Sequence, residues 1–592
     1  MGTSRSEPGG KGALGWVPPL AAAVPLIAGP WWREGYLVPK AAACGLLGLA
    51  GALAWALSGR REDIASRVDA PAAAFAGAFL LAALFSCDPR LSWFGRYPEA
   101  LFAAGGLAAC VAAFHLGCGL RSARQEGPLL LWLCALSTPV SAYALAQSGG
   151  FDPLLQAALP EGRALSTFGS PVYLGAYLAL VLPCALLLWG RGEGALQRRV
   201  GAAAFLAGLP ALAATASRGA LLAAACGSAA AWILGGGACA EEKKRGSRPG
   251  RFSWKLAATA SAALAVLAVF AWRGRGSGAG DAARWDLWRV AGSQFRESPW
   301  LGRGPDTFEL SFQRLRSEEM ARRLGGLGPT QSHPHNDWLQ VLGALGLAGL
   351  AAYLWLHLGA LRGAWAAARS GLPFAGALAG GVLAVLVQAK FNSPSLAVAW
   401  LACVMAGALL AAPGRSRMAA ALFLAGAFAG AGLTGRAALA DRQARRGLEA
   451  RRRGAPKEAA LSLERAIAAA PEVTLYRYDL ANLLWDASSA ASGPGRALIL
   501  ERVKETAREG VRARPLDSQA HRLLALAALR GEEGGVSGNA EALAAARRAL
   551  ELDPNGGLTL ETFVRAARKN GEEGAARAAE ERLARITGGT AP

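Results

Sequence analysis

Between Gln331 and Leu350 the chain reads QSHPHNDWLQVLGALGLAGL. His333, His335, Asn336 and Asp337 stand together where an apolar run begins, in a chain with only five histidines. A neutral imidazole at the water-facing mouth of a membrane span can take a proton from a hydroxyl near neutral pH. Two plainer uses compete. Asn336 or Asp337 could cap the N-terminus of the span, and the His-x-His pair could hold a metal. The metal reading is short of ligands, because Asp337 is the one obvious local third donor and no other loop offers a histidine or a carboxylate cluster. No metal and no cofactor is expected.

Cations that could face this mouth are spread along the chain. Arg218, in TASRGALLAA, stands where another span begins. An arginine and the free N–H groups of a helix start suit a phosphate, and an arginine close to hydrocarbon is costly enough to need a partner or a role. Anchoring to lipid headgroups is the alternative. Residues 282–297 read as an amphipathic helix in the interface, with Trp285, Trp288 and Phe295 as apolar anchors and Arg284 and Arg289 projecting. Arg163 precedes STFGSPVYLGAYL, and Arg96 sits in the aromatic loop CDPRLSWFGRYPEALFAA. Each could touch a glycan or a lipid phosphate, or merely snorkel in an interfacial belt. The turn-rich PWLGRGPDTFE has no GK[ST] after it, so it is not a P-loop.

These residues must be positioned by lipid-embedded helices. The chain is 592 residues long and 53% hydrophobic, with a mean hydropathy of +0.26, too apolar for a soluble protein of this size. Apolar runs near 14–31, 37–58, 71–87, 100–119, 128–147, 171–190, 200–216, 219–236, 254–272, 338–360, 373–389, 394–412 and 418–435 predict an all-α polytopic membrane protein of about 12–13 transmembrane helices. With the N-terminus inside, about 20 Lys/Arg fall in inside loops against about 7 outside. That bias puts the long loop 273–337 on the outer face. The net charge of +21 then reflects cytoplasmic loops and anionic headgroups, and without a basic patch interleaved with aromatics no nucleic acid is expected. The nine cysteines form no CxxC and mostly lie in apolar runs, so neither a zinc site nor a disulfide framework is expected. The first apolar run lacks a cleavage site and reads as a retained span.

From about residue 438 the composition turns amphipathic. Three segments near 40 residues apart each run as an Ala/Leu helix to a proline (Pro471, Pro515, Pro554) and then a second helix. This spacing loosely matches tetratricopeptide (TPR) repeats, which bind protein partners. The expected division is a transmembrane domain over 1–437 and a TPR-like helical domain over 438–592. With thirteen spans the tail falls on the outer side, and His521, on one of its helices, is structural.

Three stretches give the chain a family resemblance. His335-Asn336 followed by nine residues and then Gly346-Leu-Ala-Gly349, SRGA at Ser217 to Ala220, and RWDLW followed by ESPWLGRGPDTF together resemble the O-antigen ligase / O-antigen polymerase superfamily of bacterial membrane glycan transferases. The resemblance covers about residues 15–412. Ser170 departs from it, standing where Asn is common, and His333 has no place in its core motif.

The resemblance implies a C-type glycosyltransferase-like helical fold in the bacterial inner membrane, with the site facing the periplasm. It implies an undecaprenyl-pyrophosphate glycan donor and, for a ligase of lipopolysaccharide biosynthesis, a lipid A–core or other hydroxyl acceptor. The family's functional histidine falls on His335, and its two functional arginines fall on Arg218 and Arg284, where they would neutralise the pyrophosphate. Asn336, Gly346, Gly349, Arg163 and Arg96 are expected to support them. Single displacement would invert the anomeric carbon without a metal. A polymerase or an O-linked protein oligosaccharyltransferase would share this core. A transporter would need ionisable residues in mid-span, but the spans hold few charges, with His115 and His357 the main polar intrusions. A membrane-anchored scaffold working through the repeats alone leaves the His-Asn mouth unexplained.

Overall fold

The computed structural model describes residues 13–58, 63–99, 101–152, 159, 162–244, 278–324, 330–372, 374–531 and 536–588. It is all-α, with no strand among the described residues. The helices of the apolar part are α1 (Val17–Ala23), α2 (Leu37–Leu57), α3 (Asp69–Leu84), α4 (Pro89–Phe94), α5 (Ala104–Ser122), α6 (Glu126–Ser148), α7 (Pro171–Arg191), α8 (Ala195–Ala214) and α9 (Arg218–Lys244). The long loop forms α10 (Gly278–Glu297), α11 (Phe308–Leu315) and α12 (Glu318–Arg323). Then come α13 (Asp337–Arg369), α14 (Ala375–Gln388), α15 (Leu396–Leu410) and the 36-residue α16 (Arg417–Arg452).

Seven of these helices are long and apolar enough to cross a membrane: α2, α5, α6, α7, the first part of α9, α13 and α16. The apolar segments Val17–Leu26, α3, α14 and α15 are shorter. The expected span at 200–216 falls on α8, and the one at 254–272 lies outside the described residues. Local chemistry starts several of these helices. Asp88 caps α4 by accepting from the Leu91 N–H at 3.0 Å, and Ser170 caps α7 through the Val172 N–H at 3.3 Å. Ser416 does the same for α16.

The bundle packs through small residues. A Cβ on Gly117 or Gly407 would lie 2.0 Å or less from a carbonyl oxygen of the facing helix, so α5 and α15 touch backbone to backbone. Gly227 and Gly380 do the same for α9 and α14, where each Cβ would lie 2.5 Å from the other's carbonyl oxygen. Lipid tails are as apolar as leucine, so such close contact, and not burial from water, is what favours association here.

Beyond residue 452 the chain forms three antiparallel helix pairs and a final helix. They are α17 (Pro456–Ala469) with α18 (Thr474–Ser489), α19 (Gly493–Ala513) with α20 (Ser518–Gly531), α21 (Val536–Leu552) with α22 (Gly557–Lys569), and α23 (Glu573–Thr587). Pro471, Pro515 and Pro554 stand in the turns within the pairs. No linker separates this tail from the bundle, because α16 runs unbroken from one into the other. The tail lies against the loops on the side of the His335 mouth: Arg33 pairs with Asp479 at 2.7 Å, Arg90 donates to the Ala513 carbonyl at 2.9 Å, and Arg316 pairs with Asp553 at 2.6 Å. His521 is structural, its ring bonded to the Pro515 carbonyl at 2.9 Å.

Candidate functional site

The mouth of α13 is built from its cap outward. Asn336 is the N-cap, and its side-chain oxygen accepts from the N–H groups of Trp338 at 3.0 Å and Leu339 at 3.3 Å. The residue before it, His335, is held at φ 54°, a left-handed conformation that a non-glycine residue adopts only where its surroundings impose it. Trp288 of α10 donates its indole N–H to the Pro334 carbonyl at 3.2 Å, tying that helix to the histidine loop. Asp337 is engaged elsewhere: both its oxygens accept from Lys390 at 2.7 Å, and one accepts from the Tyr353 hydroxyl. It is therefore not free to join the histidines around a metal. Among the described residues no group of three or more His, Cys, Asp or Glu side chains comes together as a metal cage.

His335 is neutral at physiological pH. Burial, with the neighbouring His333 and the Arg284 cation, pushes its pKa down to about 3, against a hydrogen bond to Asn392 that favours the charged form. Its Nδ1 is buried without a hydrogen-bond partner among the described residues. A neutral imidazole with one nitrogen engaged and the other unpartnered can accept a hydroxyl proton. Asn392, which sequence reasoning passed over, is thus part of the site. It sits in the turn after α14, and nothing in its local sequence marks it.

The two motif glycines make the scaffold. α13 is broken at Gly346 (φ 63°, ψ −160°). Into the break docks the turn that follows α10: the Leu347 N–H donates to the Pro299 carbonyl at 2.8 Å, and the N–H groups of Arg303 and Gly304 donate to the carbonyls of Gly343 and Ala344 at 3.1 and 3.0 Å. Backbone groups freed by a break within a membrane must be satisfied again, and this turn does so. A Cβ on Gly346 would lie 2.4 Å from the Trp300 carbonyl carbon, which leaves room only for glycine. At Gly349 the crowding atom is the Leu345 Cβ of its own helix.

The cations sit on different elements around the mouth. Arg284 lies on α10, close enough to His335 to depress its pKa. The face that α10 buries in the protein is Leu287, Val290 and Ala291, packed on Phe308, Phe312 and Met320, while Trp285 is 61% exposed. Arg218 opens α9, and a Cβ on the adjacent Gly219 would be 2.9 Å from Phe391, so this start abuts the turn that carries Asn392. Arg163 braces the preceding turn by donating to the Thr215 carbonyl at 2.8 Å. Arg96 is committed to protein, its Nε pairing with Glu309 at 2.6 Å and its N–H donating to Asp306 at 2.6 Å.

Sequence reasoning also missed a carboxylate here. Glu99, three residues after Arg96, accepts from the Tyr173 hydroxyl at 2.5 Å and from Ser332 at 3.2 Å, and one oxygen lies 3.8 Å from His333 Nδ1. Burial pushes its carboxyl up, but His333, Tyr173, Arg96 and Ser332 together hold the pKa below its usual value. His333, given no role by motif spacing, is buried between Glu99 and His335, whose ring it meets edge-on at 4.6 Å. The available signal was one of two acids in an aromatic loop, Asp88 being the other, and motif spacing cannot weigh such a residue.

Residues 203–354 match the protein-family model described as O-antigen ligase. The matched stretch contains Arg218, Arg284, His335, Asn336, Gly346 and Gly349, and leaves out Arg96 and Arg163. A search of curated proteins finds no match. A solved structure named MamA MSR-1 C2 is similar at 17% identity over 28% of this chain and 91% of its own, with a TM-score of 0.20, which carries no argument.

Proposed function

With residues 203–354 forming an O-antigen ligase domain in a multi-pass membrane chain, we propose that the protein transfers a glycan from an undecaprenyl-pyrophosphate donor to an acceptor hydroxyl. The reaction takes place on the periplasmic face of the bacterial inner membrane, and lipid A–core is the acceptor. The supporting observation is a neutral histidine, His335, fixed in a strained conformation beside Arg284 within the matched domain. In this reading Arg284 and Arg218 bind the pyrophosphate and offset the charge that develops on it. The acceptor oxygen attacks the anomeric carbon, the bond to the pyrophosphate breaks with its electron pair, and the hydroxyl proton passes to His335. Charge order favours this sequence of events. Arg284 depresses the imidazole's basicity, and a pyrophosphate bound by Arg284 would cancel part of that field and make His335 a better base. A single displacement inverts the anomeric centre, and no step calls on a metal.

The test is transfer in vitro by the full chain in lipid, with purified undecaprenyl-pyrophosphate glycan. His335→Ala should lower the rate at least about 100-fold, and Arg218→Ala and Arg284→Ala each by about 100- to 1,000-fold. Full activity in His335→Ala rules out the mechanism, and inhibition by EDTA would require a metal. Offering lipid A–core, a second lipid-linked glycan and a protein side by side separates a ligase from a polymerase and a protein oligosaccharyltransferase.

A further inference from the structure

Beside the histidine pair lies a pocket that the steps above leave unused. Its apolar walls include Leu101, Phe102 and Leu396, and its polar lining includes Glu99, Tyr173, Ser393 and Ser395. The two serines are each 4% exposed, and neither hydroxyl oxygen has a hydrogen-bond partner among the described residues. Buried unpaired hydroxyls are costly, and their persistence points to a ligand that completes them. Lys40 also lines the pocket, but its three donors are spent on the carbonyls of Ile27, Tyr36 and Thr167 at 2.6, 3.0 and 2.5 Å. Glu99 has capacity to spare. A carboxylate accepts about four hydrogen bonds, and Tyr173 and Ser332 supply two.

The pocket adjoins the reacting centre from two directions. Glu99 lies 3.8 Å from His333, whose ring packs on His335. Ser393 directly follows Asn392, which bonds His335. Charge sorts the two substrates. An anionic Glu99 disfavours a pyrophosphate and favours neutral hydroxyl donors, whereas the arginines do the reverse.

We propose that this pocket is part of the acceptor subsite, and that Glu99, Ser393 and Ser395 hold a hydroxyl or hydroxymethyl arm of the acceptor sugar beside Phe102 and Leu396. The assignment rests on the transferase reading above. Glu99 acts here as a specificity-determining and positioning residue: it binds the arm and so orients the sugar toward His335, and no proton is assigned to it.

The experiment uses the full chain in lipid nanodiscs and two probes, fluorescently labelled lipid A–core oligosaccharide and undecaprenyl pyrophosphate. Glu99→Gln should weaken oligosaccharide binding about tenfold, and Ser395→Ala a few-fold. Undecaprenyl-pyrophosphate binding should stay within about twofold in both, which also reports an intact fold. In turnover, the KM for acceptor should rise while that for donor holds. Unchanged oligosaccharide binding in both variants, with transfer by the wild type intact, overturns the pocket and leaves the transferase reading standing. No transfer by a wild type that binds both probes overturns the transferase reading and the acceptor assignment with it. If Glu99→Gln loses both probes together, Ser395→Ala decides, and loss of both probes there also overturns the proposal.

Discussion

The membrane bundle and the tail are held to their neighbours by different kinds of contact. Within the bundle, Gly117 on Val404, Gly407 on Phe114 and Gly227 on Gly380 bring backbone against backbone with no charge involved. Between the tail and the loops at the His335 mouth, apolar packing at Ala321 and Tyr97 is joined by oriented ion pairs: Arg316 with Asp553, Arg33 with Asp479, and Arg585 with Glu318. The difference follows from the solvent. In lipid, apolar side chains cannot tell one partner from another, so shape and close approach decide. In water, oriented ion pairs fix register even where they add little net energy. The candidate site lies where these two regimes meet. Gly346 serves it from the bundle side, and the loop of Arg96 and Glu99 is pinned from the tail side through Tyr97, which hydrogen-bonds Asp441 at 2.6 Å.

The largest effect should come from the bundle side. Gly346→Ala would put a side chain at φ 63° and ψ −160° and drive its Cβ into the Trp300 backbone. Neither helix nor turn can yield without losing the hydrogen bonds that join them. A cost above about 4 kcal/mol is expected, read as loss of folded yield and of transfer together. A stable, active Gly346→Ala protein would show that the break is not what seats the turn.

Next in size is the ionic seam. Arg316 and Asp553 are 4% and 1% exposed, and both guanidinium bonds are made, at 2.9 and 2.6 Å. Arg316→Ala leaves Asp553 buried without its cation and should cost about 3–5 kcal/mol of tail docking. Limited proteolysis should then release α21–α23 while the bundle stays folded. If bundle and tail melt together as before, the two regimes are not separable.

Much of this was legible in the sequence, for reasons tied to particular residues. Long apolar runs marked the helices because a bilayer sets their length. His335, Asn336, Gly346 and Gly349 stood out through the family resemblance, and in the structure Asn336 caps α13 and Gly346 breaks it. Arg96 stayed open between substrate contact and interfacial anchoring because a loop arginine looks the same whether it faces water or, as here, Glu309. Glu99 and Asn392 were invisible because their roles come from contacts with residues 74 and about 60 positions away, Tyr173 and His335. The tail's side followed from loop charge and span count only under one helix count. Its contacts with Arg33, Arg90 and Arg316 place it beside the His335 mouth directly.

A pH dependence sharpens the same comparison. Asp306, buried in the turn at φ 60°, accepts from the Arg96 N–H at 2.6 Å, and burial pushes its pKa up to about 7, with Arg96 opposing and Glu99 and Glu309 reinforcing the rise. A carboxyl whose folded pKa lies above its unfolded value makes the folded state the better proton binder. Its contribution is full below the unfolded value of about 4 and is lost as pH rises toward about 7. His335, whose pKa is lowered, adds stability as pH rises through the same window, so Asp306 should blunt that rise in the wild type, and Asp306→Asn, tolerated at positive φ, should steepen it. An unchanged slope in the variant would place the buried proton elsewhere.

The smallest expected effect tests whether the tail reaches the site at all. Tyr97→Phe removes one hydroxyl and keeps the ring that packs on Tyr476 at 5.6 Å. Asp441 keeps the Glu34 N–H at 3.1 Å, so it is not stranded, and the loss should be about 1 kcal/mol. That is too little to undock the tail, which Arg316 and Arg33 still hold. It should instead loosen the loop that carries Arg96 and Glu99, seen as faster amide exchange over residues 95–103 and a few-fold lower transfer rate. Exchange confined to the tail, with this loop as protected as before, would mean that the tail is fastened beside the site without shaping it.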